Sequence, residues 1–145
     1  ATHATSDMDW AQQRIGIARL KNAYAYNRLR QQNGWIPNGT DFPIEGIEPI
    51  KTFYASVARK NADGEPEEGY MMENALSRMD ALKSITIWAA KAAFLEKERG
   101  SIEVGKMADF TILNTDIIKV RENKILGSKV LYTIVNGKIV YKAHP

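Results

Sequence analysis

The sequence has no cysteine and only two histidines, and both features limit the chemistry open to the chain. Without cysteine it forms no disulfide, no thiolate zinc site and no cysteine nucleophile. His3 and His144 lie near opposite ends of the 145 residues, so the chain cannot build a histidine-rich metal site by itself. The lack of cysteine does not choose between the cytosol and an oxidising compartment, and the localisation stays open.

Long apolar runs and a dominant sign of charge are also lacking. No apolar run approaches the roughly 18 residues that span a bilayer, and the N-terminal residues show no signal-peptide pattern. The 20 Lys and Arg are interspersed with 17 Asp and Glu, without the basic stripe that follows a phosphate backbone. We therefore expect a soluble protein whose partners include neither membrane nor nucleic acid. Apolar residues make up 44% of the chain, enough for a core.

Hydrophobic periodicity predicts three helices in the first two-thirds of the chain. The first covers about residues 17–32 and ends at Asn33-Gly34, a typical C-terminal cap. The second begins at Pro49 and repeats apolar residues at helical spacing. The third follows a capping box, Ser77-x-x-Asp80, whose side chains satisfy free backbone N–H groups. Its predicted inner face consists of Leu82, Ile85, Thr86, Ala89, Ala93 and Phe94.

From Arg99-Gly100 onward the hydrophobic period changes from 3.6 to 2, which predicts strands. The strand-like stretches cover residues 101–113 and 129–141. Asn136-Gly137 predicts a tight hairpin, because a type I′ turn needs positive φ at both central positions. The chain therefore divides into an α-rich part, residues 1–98, and a β-rich tail, residues 99–145.

A single acid follows a short apolar stretch in the α-rich part. Residues 35–40, WIPNGT, predict a short buried strand with Asp41 at its C-terminal end, although Pro37 cannot donate to a ladder. Barrels of alternating strands and helices place catalytic groups at such strand ends. The alternative is that Asp41 caps a turn through an Asx bond. Spacing alone favours that alternative, because the acid has no visible partner.

His3 has two interpretations as well. It can contact a substrate or a metal at another strand end, or it can be solvated and satisfied by its neighbours near the terminus. The residues alone favour the second interpretation.

One segment resembles a phosphate-binding loop but does not match it fully. Residues 100–107, GSIEVGKM, fit the phosphate-binding loop except at the last position, where Met107 replaces the hydroxyl residue that binds magnesium. A helix precedes this segment and strands follow it, the reverse of the phosphate-loop context. We assign it no nucleotide site.

The order of the motifs resembles the C-terminal part of a metal-dependent amidohydrolase. In chain order, the motifs are THATSDMDWAQQRIG, NGTDFPIE and MDALKSITIWAAKAAFLEKERGSIEVGKMADFTILN. The last contains a passage similar to the family's Gly-Ser-(Leu/Ile)-Glu-x-Gly-Lys-x-Ala-Asp, and GTDFP is similar to its Gly-Ser-Asp-x-Pro. Within the family, the chain most resembles the branch of N-substituted formamide deformylases and exoenzyme regulatory proteins.

The resemblance implies an α/β fold: the C-terminal fragment of a (β/α)8 TIM barrel, with its last strand and several helices in residues 1–98. Residues 99–145 would supply strands of a small composite β-sandwich. Asp41 matches the aspartate after strand eight, which takes a proton from a metal-bound water and can also coordinate the metal. Thr40 replaces the commoner serine. His3 matches the histidine after strand seven, which positions substrate.

The remaining family ligands have no counterpart in these 145 residues. The His-x-His pair, the carboxylated lysine or acid, and two further histidines are missing, and a complete barrel takes roughly 250 residues. We therefore expect a piece of a longer enzyme that needs a divalent metal, zinc by resemblance. By itself this piece is expected to be inactive and to bind no cofactor.

Two functions remain open at this stage. The first is the C-terminal portion of a metal-dependent hydrolase of C–N bonds, in amide or cyclic amide-like substrates, whose partner is the N-terminal part of the same barrel. The second is a non-catalytic interaction or regulatory module that assembles through its β tail. In both cases unpaired strand edges predict a homo-oligomer of the isolated chain.

Overall fold

The computed structural model describes residues 1–144, with helices in the first two-thirds and a small sheet in the last third. The helices are α1 (Thr2–Ser6), α2 (Met8–Ile15), α3 (Ile17–Leu20), α4 (Tyr26–Asn33), α5 (Pro49–Ala58), α6 (Arg78–Ser84) and α7 (Ile87–Ala92). Short 3-10 turns cover Met72–Asn74 and Glu122–Lys124. The strands are β1 (Phe110–Leu113), β2 (Val130–Val135) and β3 (Lys138–Lys142), in one antiparallel sheet of order β1-β2-β3. Among these residues, the helices are too short or too polar to cross a bilayer.

Helix α5 forms the centre of the core and begins at Pro49, as the sequence predicts. Phe53 and Ala58 are fully buried on it. The apolar side chains around them come from both halves of the chain, since Ile117 and Ile125 are buried in the same cluster. The α5 helix is therefore held by segments far from it in sequence.

The predicted helix over residues 17–32 is wrong in its middle. The chain forms α3 and α4, separated by a turn in which Tyr24 has a φ of +51°. The Tyr24 carbonyl accepts hydrogen bonds from Tyr26 N at 2.9 Å and from Arg59 Nη1 at 3.4 Å. These bonds replace the i to i+4 bond of a continuous helix. The predicted end of α4 is confirmed, because Gly34 takes a left-handed conformation there.

The predicted buried strand at residues 35–40 is also wrong. In the described part of the chain this segment pairs with no strand, and its Trp35 and Ile36 side chains are only partly buried. A hydrogen bond from Asn38 N to Ser84 O, at 2.9 Å, anchors its backbone to helix α6. A strand exists only where neighbours satisfy its N–H and C=O groups, and Pro37 offers no N–H at all.

The Ser77 half of the predicted capping box is confirmed: its side chain accepts a hydrogen bond from Asp80 N at 3.1 Å. The Asp80 carboxylate pairs instead with Arg30 Nη2 at 2.9 Å. The helix then ends at Ser84, and α7 follows as a separate element. The predicted inner face fails at three of its six positions: Thr86, Ala93 and Phe94 are exposed, and Phe94 is 90% exposed with a φ of +60°. The chain has already left the helix at this residue, because α7 ends at Ala92.

The β tail follows the prediction at its hairpin. Asn136 and Gly137 link β2 to β3 with φ values of +49° and +77°. Only the last part of the first predicted strand forms, as β1. Residues 101–106 form a turn instead, in which Lys106 Nζ donates to Ser101 Oγ at 2.6 Å and lies 3.3 Å from Glu103.

Candidate functional site

The structure brings the two residues singled out by the sequence, His3 and Asp41, into direct contact. His3 Nε2 lies 3.0 Å from Asp41 Oδ2, across 38 positions of the chain. Both side chains are about half exposed, at 44% and 54%. A carboxylate oxygen only accepts a hydrogen bond, so His3 carries its proton on Nε2. The two side chains therefore form one polar pair at the surface.

Local backbone geometry places Asp41 in this position. The residue has a φ of +58°, a left-handed conformation that aspartate tolerates better than most residues. Its carbonyl accepts hydrogen bonds from Ile44 N at 2.9 Å and Glu45 N at 3.2 Å, which closes a turn over residues 41–45. The side chain is thus left to contact His3. An Asx cap requires the Asp41 side chain to accept from a backbone N–H of its own turn. Within residues 1–144 the side chain instead accepts from the His3 ring.

Helix α1 supplies the other side of the site. Ala4 and Thr5 are buried and fix the helix, while His3 and Ser6, three positions apart, reach the 41–45 turn. Residues spaced by three share a helix face. One turn of helix therefore presents an imidazole and a hydroxyl to the same loop.

Glu45 is the site residue that sequence reasoning missed. Its Oε1 accepts a hydrogen bond from Ser6 Oγ at 2.6 Å and lies 3.8 Å from His3 Nε2. Glu45 is four residues after Asp41, and the only signal for it was its place in the NGTDFPIE motif. His3 therefore lies between two carboxylates of one turn.

A cleft of about 230 Å³ adjoins this cluster on one side. Ser6, Glu45, Lys51, Tyr54 and Lys60 contribute polar groups to its wall. His3 and Asp41 are not among the residues that line it. We therefore treat the pair and the cleft as neighbouring features, not as one pocket.

The residues at this site do not fit a metal centre by themselves. In the described part of the chain no group of three or more His, Asp or Glu side chains is arranged to hold a metal ion. A catalytic zinc takes about three protein ligands and keeps one position open. Asp41 can supply at most one such ligand, and His3 Nε2 is already directed at Asp41 as a donor.

Comparison with known proteins identifies the family. The model of the amidohydrolase family matches residues 1–141. This chain belongs to the amidohydrolase family. The resemblance drawn from its motifs is therefore confirmed, and members of the family generally depend on a metal.

Three curated proteins illustrate the relationship. The chain is 31% identical to a Bacillus subtilis (strain 168) protein named amidohydrolase YtcJ, covering 94% of this chain and 26% of that protein. It is 33% identical to Protein LONG AFTER FAR-RED 3 of Arabidopsis thaliana, with 96% and 24% coverage. It is 31% identical to an N-substituted formamide deformylase of Arthrobacter pascens, with 71% and 18% coverage. The chain thus spans about a quarter of the length of the first two relatives.

Proposed function

We propose that this chain is the C-terminal portion of a metal-dependent hydrolase of C–N bonds, acting on amide or cyclic amide-like substrates. The observation that carries the proposal is the His3–Asp41 pair, held at 3.0 Å in a chain whose family model matches residues 1–141. One relative is named as a deformylase of N-substituted formamides, which is a C–N bond hydrolase. Residues 35–40 form no strand in this chain, and we propose that they become the last strand of a (β/α)8 barrel only in the whole enzyme, where neighbouring strands would pair with them. Residues 99–145 would belong to a β-sandwich.

Each residue of the pair has a proposed role. Asp41 is the general base: an exposed carboxylate at the end of its segment accepts the proton of the attacking water. His3 orients that carboxylate by its Nε2–H bond and contacts the substrate. A divalent metal, proposed to be zinc, would supply activation of the water at neutral pH. Its ligands would come mainly from outside these residues, so the isolated chain is proposed to be inactive.

The test uses a longer enzyme that contains this sequence, with its zinc content measured. Hydrolysis of N-substituted formamides, other amides and cyclic amides is followed by release of the amine or opening of the ring. Asp41→Asn is expected to lower kcat by about 10²–10⁴-fold, the usual contribution of a general base. Asp63→Asn, in the exposed loop after α5, is the matched control and is expected to keep full activity.

Two results would overturn the proposal. One is an Asp41→Asn enzyme with undiminished kcat and normal zinc content. The other is hydrolysis, or tight zinc binding in calorimetry, by residues 1–145 alone, since either would mean that this chain holds a complete centre.

A second function is favoured by a separate observation, the exposure of strand β3. All five of its residues are exposed, and it forms one edge of the three-stranded sheet. Unpaired edges with apolar side chains recruit further strands. The second proposal is a module that assembles through this edge, either with itself or with the rest of the barrel.

Sedimentation of residues 1–145 over a range of concentrations tests the assembly. Val140 is 61% exposed and has no partner in the β2–β3 register, so Val140→Lys adds a charge without breaking the sheet. We expect it to weaken self-association, whereas Val104→Lys, fully exposed outside the sheet, should not. A wild-type chain that stays monomeric at the highest concentration would exclude homo-oligomerisation.

A further inference from the structure

The imidazole of His3 faces two acceptors, and their surroundings differ. Asp41 Oδ2 lies 3.0 Å from Nε2, and Glu45 Oε1 lies 3.8 Å from the same atom. The Asp41 side chain is 54% exposed, whereas that of Glu45 is 17% exposed. A hydrogen bond forms at about 3 Å, so in this structure Asp41 accepts the bond from the His3 ring. A small movement of the ring would bring Nε2 within hydrogen-bond distance of Glu45.

Glu45 is anchored and Asp41 is not. Ser6 Oγ donates to Glu45 Oε1 at 2.6 Å, which joins the 41–45 turn to helix α1. The same helix carries His3, so Ser6 fixes the carboxylate of Glu45 relative to the ring. Charge-assisted bonds of this length are among the stronger hydrogen bonds in proteins. Asp41 has no comparable anchor among residues 1–144 besides His3 itself.

We propose that Glu45, held by Ser6, is a second acceptor for His3 and takes the ring when Asp41 is engaged elsewhere. The inference rests on the proposed role of Asp41. A general base must present its oxygen to the reacting water. A histidine that is hydrogen-bonded to that oxygen must therefore either break this bond or keep it while the same oxygen also accepts from the water. The transfer of His3 from Asp41 to Glu45 moves one hydrogen bond and no proton, because Nε2 keeps its hydrogen throughout. Glu45 is therefore a positioning residue.

The alternative is that Glu45 only fastens the 41–45 turn to helix α1 through Ser6. That role predicts effects on stability and none on the ring of His3. The test must therefore observe the ring directly.

The experiment follows the Nε2–H proton of His3 by NMR, in residues 1–145 uniformly labelled with ¹⁵N. His144→Gln assigns the two ring signals. Asp41→Gly removes the first acceptor and suits the positive φ of this position. Glu45→Ala removes the second acceptor. Glu48→Ala, an exposed acid of the next turn that pairs with Lys51, is the matched control.

We expect the Nε2–H of His3 to stay protected from exchange in Asp41→Gly, because Glu45 accepts it. In Asp41→Gly/Glu45→Ala the exchange should accelerate at least about tenfold over Asp41→Gly, the change that corresponds to 1.4 kcal/mol. Asp41→Gly/Glu48→Ala should behave like Asp41→Gly. Asp41→Gly/Ser6→Ala should fall between the two, since the carboxylate remains but loses its anchor.

Two outcomes would overturn the proposal. If Asp41→Gly alone releases the proton as completely as the double variant, Glu45 does not receive the ring. If the double variant still protects it, another group does. The backbone amide signals of buried Ala4 and Thr5 report whether α1 is intact in each variant. The readout needs neither metal nor substrate, so it can fail while the hydrolase proposal stands, and the reverse also holds.

Discussion

At the scale of single residues, Arg59 is the most unusual group in the molecule. It is completely buried and has a φ of +55°, just past the end of α5. Its Nε donates to Tyr70 O at 2.8 Å, and its guanidinium lies 5.6 Å from the centre of the Tyr26 ring. Burial lowers its pKa from the usual value. The Arg59 guanidinium contacts backbone carbonyls and tyrosine ring faces. Among residues 1–144 it forms no ion pair with a carboxylate.

Replacement of Arg59 should therefore lower the free energy of unfolding more than replacement of an exposed arginine does. Arg59→Ala removes the side-chain donor of the Tyr70 carbonyl and opens a cavity, while the Tyr24 carbonyl keeps only its bond from Tyr26 N. We expect the free energy of unfolding to fall by about 2–4 kcal/mol. Arg14→Ala, on the exposed side of α2, should change it by no more than about 0.5 kcal/mol. Urea unfolding followed by circular dichroism compares the two variants. Equally small decreases in the free energy of unfolding would show that the buried contacts of Arg59 do not stabilise the fold.

At the scale of elements, short-range signals predicted the structure well where they were strong. The Pro49 start of α5 and the Ser77 cap of α6 depend on contacts within a few residues, and both form. The hairpin at Asn136-Gly137 forms for the same reason. Failures occurred where an element needed a distant partner. Residues 35–40 lack a paired strand in the described chain, and the turn at Tyr24 that divides the predicted helix is bonded to Arg59, 35 positions away.

The hairpin turn offers a clean test of the backbone argument. A Cβ at Gly137 or at Gly39 would meet no atom within 4 Å, but only Gly137 has a positive φ, of +77°. Gly137→Ala should therefore lower the free energy of unfolding by about 1–2 kcal/mol, the cost of the left-handed conformation. Gly39→Ala should be neutral or slightly stabilising, since it restricts only the unfolded chain.

Amide exchange of β2 and β3 measures the effect of both substitutions on the hairpin. Faster exchange confined to Gly137→Ala is the expected result. Equal behaviour of the two variants would mean that the turn tolerates a side chain and that strand pairing alone sets its geometry.

At the scale of the whole molecule, four tyrosines with raised pKa values should make the free energy of unfolding decrease at high pH. Burial raises the pKa of Tyr26, Tyr54 and Tyr70. It also raises the pKa of Tyr24, whose hydroxyl donates to Asp7 Oδ2 at 2.9 Å. Folded chains thus keep these phenol protons at a pH where unfolded chains lose them. Stability from this source is complete below the unfolded pKa of about 10 and is lost as the pH rises above it.

We therefore expect the free energy of unfolding to fall steeply above pH 10. Each tyrosine that stays protonated when folded adds about 1.4 kcal/mol per pH unit to the slope. Tyr24→Phe should remove about one such contribution between pH 10 and 11.5, at some cost in stability at neutral pH from the lost bond to Asp7. Tyr141→Phe, on exposed strand β3, is the matched substitution. A Tyr24→Phe slope equal to that of the unaltered chain would contradict the prediction.

The family and the strongest local structure could be predicted from the amino-acid sequence alone. The motifs around GTDFP and GSIEVGKMADF identified an amidohydrolase, and capping and turn signals placed α5, α6 and the hairpin. Such signals act between residues a few positions apart, so they can be interpreted without the fold. The sequence also named His3 and Asp41 separately, each with a plausible non-catalytic interpretation.

The contact between His3 and Asp41, at 3.0 Å across 38 positions, is visible only in the folded chain. The tertiary structure also places Glu45 and Ser6 beside them and encloses Arg59 among tyrosines. These contacts depend on how α1, the 41–45 turn and α5 pack, and packing is set by the whole core. Periodicity and propensity carry no information about which distant side chains a packed core brings together.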